Sequence, residues 1–231
     1  MIDYNEQEMA KAFEIALNTK QVKGLPDFAL IYNEFACKQG IPDFIGVPFL
    51  DSVMNREFSK LTMLESSSMV LSLLKYNSGR RKRYIKEKTD LSDSTVNKVL
   101  KELLSNNFIV EKDGLYYLSI LYDNKVNDIW AFELKLSNWR RALFQSLQYK
   151  AFANYVIAVF PYEKEKILKQ NIAIFKELNV GVLLFDARNM VTKWIRRPVK
   201  EKSVSRWQTI FFQGKLSILT PLDDFKKVYL D

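Results

Sequence analysis

The stretch DIWAFELKLSNWRRALFQSLQY, Asp128 to Tyr149, decides the fold. Its first part, Ile129-Trp130-Ala131-Phe132, is a short apolar run of the kind that fills a buried strand. Glu133 and Lys135 close the run. Side chains alternate across a strand, so these two point to one face. Ser137 and Asn138 offer N-cap chemistry for a helix starting near Trp139. On that helix Gln145 and Tyr149 are one turn apart and share a face. An acid and an amine at the end of a buried strand, with an amide on the next helix, have the makings of a site.

Past Tyr149 the chain alternates. Residues 155–160 (YVIAVF) and 180–186 (VGVLLFD) read as strands, with a helix over 163–178 between them. Residues 190–198 (MVTKWIRRP) read as an edge strand that Pro198 ends. This β-α-β-α-β order predicts an α/β fold, a sheet with helices on its faces. The basic segment 196–206 reads as exposed, and no element is predicted from Trp207 onward.

Ahead of the opening stretch, residues 5–18 place Met9, Phe13, Ile15, Ala16 and Leu17 at near-helical spacing. Their helix is expected to keep its acids, Glu14 among them, mostly in solvent, with the approach of one of them to the site left open. FALIYNEFA (28–36) and IPDFIGVPF (41–49) predict two strands joined around Lys38-Gln39-Gly40. The pentapeptides Gly24-Leu25-Pro26-Asp27-Phe28 and Gly40-Ile41-Pro42-Asp43-Phe44 echo one another. Each sets an aspartate after a proline at a strand start, where such an acid most often serves turn chemistry.

Between residues 60 and 119 the composition shifts to helix formers. Residues 61–77 predict a long amphipathic helix, RRKRYIKEKT (80–89) a short basic one, and 90–107 a third. Ser92 or Asp93 is the N-cap of the third helix. FIVEKDGLYYLSI (108–120) has an Asp113-Gly114 turn between two strands, a β-hairpin signal.

Composition narrows the chemistry. With 48% hydrophobic and 13% aromatic residues, the 231-residue chain has ample material for a packed core. Its net charge of +8 favours an anionic partner, nucleic acid ahead of a membrane surface. Cys37 is the only cysteine, which rules out a disulfide framework and fits a reducing, cytoplasmic setting. The N-terminal residues do not have the pattern of a signal peptide, and no apolar run approaches the ~18 residues of a membrane span. The absence of histidine removes Ser-His and Cys-His triads, histidine-ligated zinc and histidine general bases. Hydrolysis here would rest on carboxylates, lysine and an oxygen-liganded metal.

Three helices followed by a hairpin resemble the winged helix-turn-helix family over 57–122. In that family the third helix enters the major groove. By position the resemblance implies base-edge contacts from Ser92, Ser94, Thr95, Asn97 and Lys98, with Lys101 further along. Arg80, Arg81, Lys82 and Arg83 would face phosphates, and Lys112 on the hairpin could add another. The alternative is a winged helix that binds protein, its RRKR run a solvated face.

The Pro42-Asp43, Glu133-Leu134-Lys135 and Gln145-x-x-x-Tyr149 elements together resemble the PD-(D/E)xK nuclease superfamily, whose restriction-endonuclease-like fold implies a mixed sheet flanked by helices. The last element is similar to the Q-x-x-x-Y of its RecB-type branch. Asp123-Asn124-Lys125 and Asp224-Phe225-Lys226 also satisfy a relaxed D/E-x-K, but they lie outside any apolar strand end. The resemblance implies a nuclease domain in two parts, 1–56 and 123–231, with the winged helix-turn-helix inserted between the motifs in place of their usual short spacing. It implies that Asp43 and Glu133, with the Leu134 carbonyl, hold one or two Mg²⁺ ions, for which Mn²⁺ would substitute. It further implies that Lys135 orients water or stabilises the transition state. Gln145 and Tyr149 would position phosphate or water, and Arg140 and Arg141 would hold the DNA backbone. Asp27 rivals Asp43 as upstream acid, and Glu34 is a further candidate ligand. An ion pair at a sheet edge is the plain alternative for Glu133 and Lys135.

The expected function is a Mg²⁺-dependent DNA endonuclease, as a homodimer or beside a protein partner in a DNA-processing system. The alternative is a DNA-binding regulator or assembly factor on a degenerate nuclease fold.

Overall fold

The structure, a computed structural model, describes residues 4–36, 40–48, 56–119 and 128–219. Lys38-Gln39 of the expected turn, Cys37, residues 123–127 and everything after Leu219 lie outside the described residues.

In chain order the first elements are α1 (Glu6–Asn18), β1 (Leu30–Asn33), β2 (Phe44–Val47), α2 (Arg56–Thr62), α3 (Glu65–Leu73) and β3 (Arg80–Arg81). Next come α4 (Lys82–Thr89), α5 (Asp93–Ser105), β4 (Ile109–Lys112), β5 (Leu115–Leu118), β6 (Trp130–Leu134) and α6 (Trp139–Tyr149). The last are β7 (Tyr155–Phe160), α7 (Glu165–Gln170), α8 (Ile172–Glu177), β8 (Gly181–Asp186), β9 (Val191–Arg196) and α9 (Arg206–Leu219). These fall into two compact units, one drawn from 1–50 and 127–204, the other from 51–126 and 205–231.

The first unit is α/β, built on a six-stranded mixed sheet in the order β1-β2-β6-β7-β8-β9. The β6, β7 and β8 strands run parallel, while β1, β2 and β9 join antiparallel. Trp130, Phe132 and Leu134 of β6 face α1 and pack with Met9 and Phe13. On the opposite face Trp139, Ala142 and Leu143 of α6 pack over Ala158, Phe160, Val182 and Leu184. Alternation along β6 therefore sends Glu133 away from α1 and toward the α6 layer. Phe13 makes tilted or edge-on ring contacts with Phe44, Phe132 and Phe185 at centroid distances of 5.8, 5.7 and 5.2 Å. Those contacts fix how α1 lies on the sheet.

The second unit holds α2 to α5, the three-stranded sheet β3-β5-β4 and α9. Its core combines Leu71, Leu74, Ile85, Val96, Leu100, Leu103, Ile109 and Ile210. The expected hairpin is present: Asp113 and Gly114 take φ of 52° and 71°, as a tight hairpin turn requires.

Several expectations need correction. The helix expected over 61–77 is two, because Ser68 Oγ donates to the Thr62 carbonyl at 2.6 Å and stands in for the next turn of helix. The helix expected over 163–178 breaks at Asn171, whose side chain donates to the Ile167 carbonyl at 2.8 Å. Arg80 and Arg81 belong to β3, paired with Tyr116 and Leu115, and not to the basic helix. The boundary drawn at 123–231 also shifts, since α9 packs with α2 and α3 in the second unit. Gly214 permits that approach: a Cβ there would stand 2.1 Å from Thr62 Oγ1.

Candidate active site

The site forms where β2 begins and β6 ends. Because β2 runs antiparallel to β6 with Phe44 opposite Phe132, Asp43 arrives beside Glu133 and Leu134. The Leu134 N–H donates to Asp43 Oδ2 at 2.6 Å, a bond that closes a separation of 91 residues. The Asp43 pKa is raised to about 6, first by burial and then by the Glu133 charge, against the opposing pull of the Leu134 N–H and Lys135. Two carboxylates this closely coupled favour a cation between them.

Glu133 is 1% exposed. Its Oε1 lies 3.0 Å from Lys135 Nζ and its Oε2 2.6 Å from the Tyr149 hydroxyl. That hydroxyl also stands 3.1 Å from the Ile41 carbonyl; with one proton to give, the shorter contact to the carboxylate takes it. Asn138 caps α6 by accepting from the Arg141 N–H at 3.0 Å, so the helix starts in a fixed place and delivers Tyr149 to the β6 end.

Lys135, just past β6, also reaches Glu6 Oε1 at 2.6 Å and the Leu134 carbonyl at 2.9 Å. Burial works to lower its pKa, but the hydrogen bond to Glu6 and the charges of Glu133 and Asp43 outweigh burial and raise it. The ammonium is therefore firmly charged. Glu6 was not singled out from the sequence, which set the helix's acids mostly in solvent and left open which one could reach the site. The available signal was its spacing: Glu6, Met9, Phe13 and Leu17 form one stripe, and Glu6 is the polar end of the face that α1 buries.

Asp43, Glu133, Lys135 and Tyr149 thus come together. Gln145 does not join them through any hydrogen bond; its Oε1 is buried and unpartnered among the described residues. Asp27 pairs with Lys20 at 2.7 Å, both side chains largely exposed. Glu34 is exposed and donates its backbone N–H to the Asp43 carbonyl at 3.0 Å.

Among the described residues no trio of acidic or cysteine side chains is arranged to hold a metal. Mg²⁺ does not require one, since one or two carboxylates with water and phosphate oxygens suffice. Asp43 and Glu133 are donors of that kind, and the Leu134 carbonyl is a hard oxygen beside them. The donor chemistry fits. Here, however, the Lys135 ammonium stands on Glu133 Oε1 and the Leu134 carbonyl, two of the oxygens a metal would use.

In the second unit Arg81, Arg83, Ser92, Ser94, Asn97, Lys98, Lys101 and Lys112 are exposed, while Lys82 and Thr95 are half-buried. Arg80 is spent locally, on Ser78 Oγ at 2.8 Å and over the Tyr84 ring. Arg83 pairs with Glu87, and Ser92 caps α5 by accepting from the Thr95 N–H at 3.2 Å. On α6, Arg140 lies over Trp139 with its guanidinium carbon 4.5 Å from the ring centroid, and Arg141 is exposed. No helix among the described residues is long and apolar enough to cross a membrane.

No protein-family model matches the chain, and no curated protein or solved structure matches it either.

Proposed function

We propose that the protein is a Mg²⁺-dependent DNA endonuclease of the PD-(D/E)xK type, with the second unit serving as a winged helix that docks on DNA. The observation that carries this reading is the return of Asp43 to the Glu133–Lys135 strand end, held by the 2.6 Å bond from the Leu134 N–H. Two carboxylates, an ammonium and a tyrosine at one point suit phosphodiester hydrolysis in a chain without histidine.

In the reaction, water attacks phosphorus, one P–O bond breaks, and the products are a phosphate monoester end and a hydroxyl end. Asp43, Glu133 and the Leu134 carbonyl would hold the ion. When bound, Mg²⁺ supplies stabilisation of the charge growing on the phosphate and lowers the pKa of the attacking water. Tyr149 keeps the Glu133 carboxylate oriented, and the Leu134 N–H does the same for Asp43. Lys135 supplies a fixed positive charge to the pentacoordinate transition state. The Gln145 amide oxygen, buried and unpartnered among the described residues, would accept from a bound water. The exposed Arg81 and Lys112 serve the DNA backbone, and Asn97 and Lys98 on α5 serve base edges, with Lys101 further along.

A second reading, a DNA-binding protein without cleavage, draws on the closure of the site: Glu133 is buried and both its oxygens are engaged. A plasmid-nicking assay separates the two. Nicking is expected with Mg²⁺ and is expected to vanish with EDTA, in Asp43→Ala and in Lys135→Ala. Nicking that survives both substitutions refutes the site, and duplex binding without nicking in any divalent metal favours the second reading.

A further inference from the structure

The contacts of Lys135 carry a further assignment, which rests on the endonuclease reading. An ammonium has three N–H groups, and three oxygens lie within 3.0 Å of this one: Glu6 Oε1 at 2.6 Å, the Leu134 carbonyl at 2.9 Å and Glu133 Oε1 at 3.0 Å. Two of them are oxygens that a divalent cation would need. An ammonium and a metal ion seated on the same oxygens repel each other strongly in so little water. The third belongs to α1, a separate element.

We infer that Glu6 is a positioning residue: its carboxylate is the standing partner of the Lys135 ammonium and keeps it at the site when a divalent cation takes the Glu133 and Leu134 oxygens. Loading the site is then an exchange in which Lys135 gives up two oxygens and pivots on the third. The ammonium would then have N–H groups free for a substrate phosphate while Glu6 holds it.

The surroundings of Glu6 suit that role. The helix is pinned by the ring contacts of Phe13, two turns along the same stripe. Its N-terminus is closed by Asn5 and Glu8, which bond each other's backbone N–H at 2.9 and 2.8 Å, so Glu6 is not needed as a cap. The Glu6 side chain is 46% exposed and lies in the first helical turn, at the positive end of the helix dipole. Lys135, by contrast, is only 14% exposed, and beyond Glu6 and Glu133 it feels the charge of Asp43. Once Asp43 and Glu133 are committed to a cation, Glu6 is the anion left among these three.

Calorimetric titration of the full-length chain with Mn²⁺, without DNA, tests this in a double-mutant cycle. Glu6→Gln is expected to weaken Mn²⁺ binding roughly tenfold, because the displaced ammonium then has no anionic partner, and Glu6→Asp is expected to retain most of the affinity. In a Lys135→Ala background Glu6→Gln is expected to change nothing. Equal losses in both backgrounds would make Glu6 a direct ligand and overturn the inference, as would unchanged affinity in the single variant. If the unaltered chain binds no Mn²⁺ and nicks no DNA, the endonuclease reading falls and the inference falls with it. Losses of similar size in the two backgrounds, beside a binding and nicking parent, sink the Glu6 role alone.

Discussion

Asp43 is a carboxylate held against its own preference for water. Its pKa stands near 6 in the folded chain, against 3.8 for the free side chain, because burial and the Glu133 charge both resist its ionisation. Between those two values the folded state binds more protons than the unfolded one, so this group's contribution is full below about pH 4 and is lost as pH rises through 6. Asp43 is partly solvated, so the loss is of the order of 1–2 kcal/mol and not the full two-unit equivalent. Asp43→Asn keeps an oxygen for the Leu134 N–H and cannot ionise. In EDTA at pH 8 it is expected to be the more stable protein by that amount, and at pH 4 the difference is expected to close. It is also expected to lose cleavage by roughly a hundredfold or more, the several kcal/mol that a metal supplies. Urea unfolding at the two pH values, with nicking rates beside it, measures both. A variant less stable at pH 8 would mean that Asp43 is an ordinary structural carboxylate. At this scale the sequence was legible where a residue's neighbours along the chain announce its setting: Asp43 after Pro42, Glu133 at the end of an apolar run. It was illegible for Glu6, whose role depends on where Phe13 seats the helix against strands far along the chain.

Among the elements, β2 and β6 determine the site and were readable as strands, because a run such as Trp130-Ala131-Phe132 fits little else. The helix α6 was readable for a similar reason, with Asn138 supplying its cap. The helix breaks at Thr62 and Asn171 were not. Each depends on a side chain competing for a backbone carbonyl, Ser68 in one case and Asn171 in the other, and apolar periodicity runs through both breaks undisturbed. The helix α9 drew no expectation because its apolar residues follow no simple stripe; Thr209, Gln213 and Gly214 are buried along with Ile210 and Phe212. Gly214 gives a direct check on its packing. Alanine there gains about 1 kcal/mol of helix propensity. It also places a methyl 2.1 Å from Thr62 Oγ1 and 3.1 Å from the Ser59 carbonyl, an overpacking that costs about 1–3 kcal/mol. Overpacking wins where backbone must move. Gly214→Ala is expected to lower the thermal midpoint of the second unit, and an unchanged or raised midpoint would contradict this placement of α9.

At the scale of the molecule, charge and chemistry divide between two units: the acids and Lys135 in the first, the exposed Lys98, Lys101 and Arg81 in the second. The coarse α/β class was legible from alternating strands and helices, whereas the membership of each unit was not, since a C-terminal helix can return to either. If the second unit meets DNA, Arg81→Ala with Lys112→Ala is expected to weaken duplex binding. It should also reduce the slope of log K against log salt by roughly two, one counterion for each phosphate that is no longer neutralised. An unchanged slope would place the DNA elsewhere. The chemistry itself is tested most directly by the anomalous difference map of a crystal soaked in Mn²⁺. A peak ligated by Asp43 and Glu133, with the Lys135 ammonium moved off Glu133 Oε1, is the expected result; an ammonium still seated on Glu133, with Mn²⁺ bound elsewhere or not at all, would contradict it.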